Sequence, residues 1–324
     1  MSATTSLTKL LAPVVIFAHR RPEHLRRTLA SLMRCPGFEE SPIIVYGDGP
    51  RRDDEREHVA TTRRVAQEML GSRAEYHFRD ANLGLDPSVI CGVTEVVERF
   101  GRVIVIEDDL ELAPGFLTYM NAALDRYAGE NSVYQVSGYQ IDVPEFAQRD
   151  GAMFLPFIVP WGWATWRRAW NQFDPLASGW TRLLTDKTLR RRFNVGGGCY
   201  DYTTMLVRAM SGLGGGAPWD IRWCWTVFKA EGLVLFPPVS LVRNIGLDGS
   251  GTHGRGWLRR FPKENITLPS SGIDLPESIC LDAGLYAQVK KALQWQNGRW
   301  IARAVDQLRW WMAIWLTMWR TKWV

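Results

Sequence analysis

The sequence predicts an α/β fold in which a mostly parallel sheet carries helices on both faces. Three observations support this prediction. Short runs of β-branched residues alternate with amphipathic segments over the first third of the chain. This alternation is typical of parallel strands joined by helical crossovers. The chain has 324 residues, 46% of them hydrophobic, and it shows neither an internal repeat nor a long linker, so it can bury one large core.

The first two strands are apolar runs that are each followed by a polar segment. Residues 11–18 (LAPVVIFA) form the first predicted strand, and the helix after it repeats leucine at Leu25, Leu29 and Leu32. Residues 43–46 form the second strand, which the glycines and proline that follow it terminate.

The alternation then continues and becomes less regular. The sequence predicts a helix over 52–70, a strand over 74–78, a helix over 88–100, a strand over 102–109, a helix over 116–127 and a strand within 133–140. The middle of the chain, residues 154–225, is rich in Trp and Gly and contains two predicted helices. The last 40 residues are predicted to form two helices that are broken near the sequence QNG.

Cysteine usage and the N-terminus indicate the compartment. The five cysteines are an odd number without a C-x-x-C pair, which argues against a disulfide framework or a zinc site. The first dozen residues lack both the basic region and the apolar run of a signal peptide. We therefore expect a cytoplasmic protein.

The C-terminal tail combines positive charge with tryptophan. From residue 285 onward, seven Lys or Arg residues oppose one acid, whereas the rest of the chain is nearly neutral, which argues against nucleic acid as a partner. Trp311, Trp315, Trp319 and Trp323 recur every four residues and so share one ridge of a helix. The apolar run is too short to span a bilayer, so we expect this helix to lie on a membrane surface. The alternative is that it docks on the domain or on a second subunit.

Three adjacent carboxylates, Glu107, Asp108 and Asp109, follow the most apolar strand, and Asp48 follows the second strand. Ligands of open α/β sheets bind outside the carboxyl ends of the strands, so these acids should face one crevice. Oxygen ligands of this kind suit Mg²⁺ or Mn²⁺, with phosphate oxygens completing the coordination. The alternative is that the acids simply begin the next helix.

Two further segments are candidate parts of a sugar-binding site. Trp161 and Trp163, in PWGWATWRRAW, offer flat faces for sugar rings, although tryptophans at this density more often pack in a core. The segment GLDGSGTHGRG, residues 246–256, has five glycines around Ser250 and His253. We expect it to close over a diphosphate with hydroxyl and imidazole donors, the alternative being an ordinary surface loop.

The chain resembles the inverting GT-A nucleotide-sugar glycosyltransferases, and among them the N-acetylglucosaminyltransferase I type. The resemblance rests on PVVIFAHRRPEHLRRTLASL, PIIVYGDG, VIVIEDDLELAPGFLTYM, PWGWATWRRAW, PWDIRW and GLDGSGTHGRGW, in that order, and covers residues 12–260. It implies a Rossmann-like GT-A sheet. The segment after NLGLDPSVICG resembles bacterial relatives more than the animal enzymes.

The resemblance also implies roles for the acids. Asp109 would hold the metal, while Glu107 and Asp108 would contact sugar and ribose hydroxyls. Asp48 would accept a hydrogen bond from uracil, and Arg20 or Arg21 would lie near the nucleotide.

The family's catalytic base falls on Asp220, in GGGAPWDIRWCW, between Trp219 and Trp223. A carboxylate there could remove the proton from the attacking hydroxyl, and Trp219 would help to line the acceptor sugar site. The alternative is that Asp220 merely starts a helix.

These inferences predict a metal-dependent inverting glycosyltransferase of polysaccharide biosynthesis. The sugar would be N-acetylglucosamine, moved from UDP to a hydroxyl of a glycan or lipid-linked glycan. The catalytic domain would span 1–260, with a nucleotide-sugar half over 12–120 and an acceptor half over 121–260. The extension over 261–324 would hold the enzyme at the inner face of the plasma membrane. A glycoside hydrolase or a non-catalytic sugar-nucleotide or glycan-binding module are the alternatives.

Overall fold

A computed structural model describes residues 11–195, 200–212, 218–248 and 272–296, together with Leu308 and Met312. Eight strands form the main sheet in the order β3-β2-β1-β4-β8-β6-β9-β7, and β5 pairs with β10 in a small second sheet. The strands are β1 Val14–Ala18, β2 Ile43–Gly47, β3 Ala74–Phe78, β4 Arg102–Glu107, β5 Leu110–Leu112, β6 Val133–Ser137, β7 Met153–Leu155, β8 Trp163–Trp166, β9 Leu233–Phe236 and β10 Val242–Asn244. The α-helices are α1 Pro22–Leu32, α2 Arg56–Leu70, α3 Leu85–Phe100, α4 Phe116–Arg126, α5 Arg167–Trp170, α6 Lys187–Phe193, α7 Tyr202–Met210, α8 Trp219–Lys229 and α9 Ala283–Gln296.

The first four strands of the main sheet confirm the prediction for the N-terminal half. Strands β3, β2, β1 and β4 are neighbours and all run parallel. Their side chains alternate between two buried clusters, one on each face of the sheet, because successive residues of a strand point to opposite sides. Helices α1, α2 and α4 cover one face, and α3, α7, α8 and α9 contribute to the cluster on the other.

Local chemistry explains where two of these helices begin and end. Proline at position 22 starts α1, where its missing N–H costs no hydrogen bond. Gly101 ends α3 in a left-handed conformation with φ of 77°, and its N–H donates to the Val97 carbonyl at 2.8 Å.

The second half of the sheet is mixed and contains strands that the sequence did not predict. Strand β8 lies antiparallel between β4 and β6, and β7 lies antiparallel to β9. Four helices, α5 to α8, lie wholly or partly within residues 154–225, where two were expected.

The segment over 272–296 packs against the sheet domain. The Ala152 N–H donates to the Asp274 carbonyl at 2.8 Å, and the Tyr127 hydroxyl donates to the Pro276 carbonyl at 2.7 Å. Leu285, Val289 and Leu293, spaced at four residues on α9, are buried in the cluster that holds α3 and α8. The four tail tryptophans lie outside the described residues. Within the described part of the chain, no helix has the length and apolar character needed to cross a bilayer.

Candidate active site

The carboxyl ends of the parallel strands β1, β2 and β4 lie side by side, and the space outside them is called the crevice. His19, just after β1, connects the two groups of predicted acids. Its backbone N–H donates to Asp108 Oδ2 at 3.2 Å, and its Nε2 lies 2.9 Å from the Gly49 carbonyl, beside Asp48. Thr28 of α1 supports the turn after β4 by donating to the Asp108 carbonyl and accepting from the Leu110 N–H.

Arg21 bridges two of the three adjacent acids. Its Nη2 contacts Asp108 Oδ1 and lies 2.9 Å from Asp109 Oδ2. Asp108 and Asp109 are 4% and 7% exposed, so this ion pair is largely shielded from water. The sequence placed Arg20 or Arg21 near the nucleotide, but it gave no signal that Arg21 would pair with these acids.

Burial and mutual repulsion perturb this cluster. The pKa of Glu107 lies well above its ordinary value, because of burial first and then the negative charges of Asp109 and Asp108. Burial also raises the pKa of Asp109, although the Arg21 charge opposes that shift. Burial lowers the pKa of Arg21, but the two aspartates outweigh it, and the net shift is upward.

A divalent cation fits Asp109. Its Oδ1 is buried and has no hydrogen-bond partner among the described residues. An unpartnered carboxylate oxygen is costly to bury, and it is the type of ligand that Mg²⁺ and Mn²⁺ prefer. Asp109 therefore has a buried oxygen that suits a metal ion.

The Asp48 carboxylate supports the loop that follows β3. Its Oδ1 accepts the N–H groups of Gly49 and Leu83, and its Oδ2 accepts the Gly84 N–H and the Asn82 amide, at 2.8 to 3.0 Å. A carboxylate offers about four acceptor positions. A hydrogen bond from uracil to the Asp48 carboxylate would therefore replace one of these four hydrogen bonds.

Arg20 points away from the acid cluster. Its side chain is 47% exposed and lies 3.5 Å from Glu55 Oε1. Of the two arginines after β1, only Arg21 contacts the triplet.

Asp220 lies in the first turn of α8, so the helix-start alternative describes its position correctly. Its Oδ1 accepts the Ile221 N–H at 2.7 Å, and the adjacent Trp219 N–H donates to Asp86 Oδ1 at 2.6 Å. The negative charge of Asp220 is the smallest of the named contributions to the raised pKa of Glu107, after burial and the charges of Asp109 and Asp108.

Two of the tryptophans expected to line a sugar site are buried. Trp163 and Trp219 are 0% and 3% exposed, and their rings stack on one another with centroids 5.1 Å apart. This corrects the expectation that they present ring faces to a sugar, because protein covers those faces. Trp161 is half-buried, with its ring edge-on to Tyr139 at 4.9 Å. Trp161 is thus the one of the three with exposed surface.

The start of the glycine-rich segment packs directly on the acids. The Ile245 N–H donates to the Asp109 carbonyl at 2.8 Å, and His24 Nε2 lies 3.1 Å from Asp248 Oδ2. A Cβ at Gly246 would meet Asp109 Oδ2 at 2.1 Å and Arg21 Nη1 at 2.7 Å. Only glycine fits this approach. Ser250 and His253 lie outside the described residues, so their expected contact with the diphosphate stays a prediction.

A second group of possible metal ligands lies away from the crevice. Oxygen and nitrogen atoms of Glu75, His77 and Glu95 lie within 4.8 Å of one another. Both oxygens of Glu75 pair with Arg99, and Glu95 accepts the Tyr46 hydroxyl at 2.9 Å. These contacts already satisfy much of the group.

Comparison with known proteins matches the chain to a family and to a distant curated relative. The family described as glycosyl transferase family 2 matches residues 14–210. An Arabidopsis thaliana alpha-1,3-mannosyl-glycoprotein 2-beta-N-acetylglucosaminyltransferase is 23% identical over 194 residues, which are 57% of this chain and 43% of that protein. The chain thus matches less than half the length of this curated relative.

Two solved structures show partial likeness. A mannosyltransferase of Pyrobaculum calidifontis, in complex with GDP-Man and Mn²⁺, is 14% identical with a TM-score of 0.35, covering 72% of this chain and 58% of that one. Mouse xyloside xylosyltransferase 1 is 12% identical with a TM-score of 0.38, covering 69% of this chain and 83% of that one.

Proposed function

The chain belongs to glycosyl transferase family 2, and from that premise we propose that it is a metal-dependent inverting enzyme. It moves N-acetylglucosamine from UDP to a hydroxyl of a glycan or a lipid-linked glycan in polysaccharide biosynthesis. The observation that carries this proposal is the buried, unpartnered oxygen of Asp109, which lies just after β4 next to Asp108 and Glu107. Family membership favours sugar transfer over the hydrolase and binding-module alternatives.

The acids of the triplet bind different parts of the donor. Asp109 holds Mn²⁺ or Mg²⁺ through its unpartnered oxygen, and the bound ion neutralises charge on the leaving diphosphate. Glu107 and Asp108 orient hydroxyls of the sugar and the ribose.

Asp220 acts as the general base. It takes the proton of the acceptor hydroxyl while the acceptor oxygen bonds to the anomeric carbon and the bond to the diphosphate breaks. Its place in the first turn of α8, next to the buried Trp219, supports this role. A positioned base of this kind contributes about 10² to 10⁴ in rate.

The test is a thermal-shift screen of nucleotide sugars with and without Mn²⁺. UDP-N-acetylglucosamine should raise the melting temperature when Mn²⁺ is present and leave it unchanged when the ion is chelated, because a ligand stabilises only the state that it binds. GDP-mannose is the matched control donor. Indifference to every nucleotide sugar in the presence of Mn²⁺ would contradict the proposal.

We also propose that the tail places the enzyme on the inner face of the plasma membrane. The four-residue spacing of Trp311, Trp315, Trp319 and Trp323 and the surrounding cations support this location. The intact chain should float with vesicles containing anionic lipid, and replacing the four tryptophans by serine should abolish flotation. Equal flotation of both proteins would count against the tail as the contact.

A further inference from the structure

Arg21 uses one side-chain nitrogen to hold the two acids that follow β4. Its Nη2 contacts Asp108 Oδ1 and Asp109 Oδ2. A guanidinium presents its donors in a fixed planar fork, so this contact determines how both carboxylates point. Arg21 therefore sets the geometry of the residue that we assign to the metal.

The guanidinium and a divalent ion compete for Asp109. Arg21 lies 2.9 Å from Asp109 Oδ2, and Asp109 Oδ1 is the oxygen left for a metal. Both cations would then sit on one buried carboxylate, where the low dielectric strengthens their mutual repulsion. Each cation therefore weakens the binding of the other.

Packing limits the directions in which Arg21 can yield. On one side the backbone of Gly246 lies so close that a Cβ there would meet Arg21 Nη1 at 2.7 Å. The side chain of Arg21 is nevertheless 21% exposed, so one side of it is open. The guanidinium can leave Asp109 by rotating toward that open side.

We propose that Arg21 is an exchangeable cation that couples metal binding to donor binding. A divalent ion displaces the guanidinium from Asp109, and the displaced guanidinium takes an anionic oxygen of the donor diphosphate as its new partner. Metal and nucleotide then bind far better together than either binds alone. The inference rests on the proposed function, because it takes Asp109 as the metal residue and a nucleoside diphosphate as the ligand.

The test measures Mn²⁺ affinity by the electron paramagnetic resonance signal of the free ion, with the full chain and no turnover. Wild type is compared with R21M, which keeps an unbranched apolar stem and removes the charged guanidinium. R27M is the matched control, because Arg27 lies on α1, the helix that Arg21 directly precedes, and pairs with an acid, Glu111, at the exposed surface. Each protein is titrated with and without saturating UDP.

Without UDP, R21M should bind Mn²⁺ about tenfold more tightly than wild type, because the competing charge is gone. With UDP, wild type should bind Mn²⁺ at least as tightly as R21M, because Arg21 now contacts the diphosphate. UDP should therefore strengthen Mn²⁺ binding by a larger factor in wild type, and R27M should behave as wild type. If R21M binds Mn²⁺ equally or more weakly without UDP, the exchange is overturned and Arg21 is structural.

A second variant keeps the test decisive if R21M does not fold. R21K retains a charge but replaces the planar guanidinium by a shorter, strongly hydrated ammonium, so its Mn²⁺ affinity without UDP should lie between wild type and R21M. An R21K affinity equal to or weaker than that of wild type would overturn the exchange. Failure of wild type to bind Mn²⁺ even with UDP would instead overturn the metal-dependent function on which this inference rests.

Discussion

Asp220 lies close enough to Glu107 for its negative charge to raise the pKa of the Glu107 carboxyl. The two residues come from different halves of the chain, and a short series of contacts brings them together. Val105, two residues before Glu107, pairs with Trp163 of β8, and the Trp163 ring stacks on Trp219, the neighbour of Asp220. The buried tryptophans thus connect the strand that ends at Glu107 with the helix that contains Asp220.

Replacing Asp220 by Asn should lower kcat about 10² to 10⁴-fold while the Kd of the donor stays the same, because the amide cannot accept the acceptor proton. Steady-state kinetics together with calorimetric titration of the donor would measure both. The control is D186N, at the N-cap of α6, where Asn caps as well as Asp. Turnover of D220N close to that of the parent enzyme would rule out Asp220 as the base.

Replacing Asp109 by Asn should abolish the Mn²⁺-dependent thermal stabilisation by the donor, because a neutral amide is a poor ligand for a hard cation. The matched control is H77Q, in the second group of possible ligands with Glu75 and Glu95. H77Q should keep the full Mn²⁺ response. Loss of the response in H77Q, with D109N unaffected, would move the functional metal to that group.

Replacing Asp48 by Ala should lower the free energy of unfolding by about 3 kcal/mol, because three N–H donors and one amide lose their charged acceptor. Urea denaturation measures the loss. Asp53, whose side chain is 90% exposed and pairs with Arg56, supplies the control D53A, expected to change stability by less than about 0.5 kcal/mol. An unchanged stability of D48A with weakened UDP binding would instead favour a direct contact with the base.

Replacing Glu107 by Gln should stabilise the metal-free protein at neutral pH. Burial raises the pKa of Glu107 in the folded state well above 4.5. The folded protein therefore binds this proton more tightly than the unfolded chain does. The protonated carboxyl contributes its full stabilisation at pH values below the ordinary pKa of about 4.5. This stabilisation is lost as the pH rises through the raised pKa of the folded state. The advantage of E107Q over wild type should therefore grow from pH 4 to pH 7 in urea denaturation.

The control for this pH dependence is E75Q, which should behave in the opposite way. Hydrogen bonds from Arg99 lower the pKa of Glu75 to about 2, so its contribution is present above the ordinary value and is lost as the pH falls. E75Q should be less stable than wild type at neutral pH, with a gap that closes toward pH 2. A pH-independent difference between E107Q and wild type would contradict a raised pKa at Glu107.

The parallel half of the fold could be predicted because its signals are local. Apolar strands β1 to β4 and the helices between them follow from residue spacing within each segment, and parallel strands bring their carboxyl ends together. Strand β8 was missed because its residues, Trp163–Trp166, form a strand only through pairing with β4 and β6. The sequence indicated tryptophan rings in that segment but not their stacking partner.

The acids of the site could be placed from the sequence, but their partners could not. Asp48, Asp108 and Asp109 lie at the strand ends where they were expected. The Arg21 bridge and the four donors around Asp48 depend on side-chain directions that sequence spacing does not specify. A useful signal was available for Arg21, because an arginine three residues after β1 lies at the same edge of the sheet as the acids.

Two features limit how far a recombinant version of the chain could be shortened. They are the hydrogen bond from the Tyr127 hydroxyl to the Pro276 carbonyl and the burial of α9. The family match stops at residue 210, before α8 and β9, and the resemblance by sequence ends at 260, before α9. Truncation at either boundary would uncover apolar side chains that the sheet normally hides from water, which promotes aggregation. A soluble catalytic fragment should therefore retain the chain at least to Gln296.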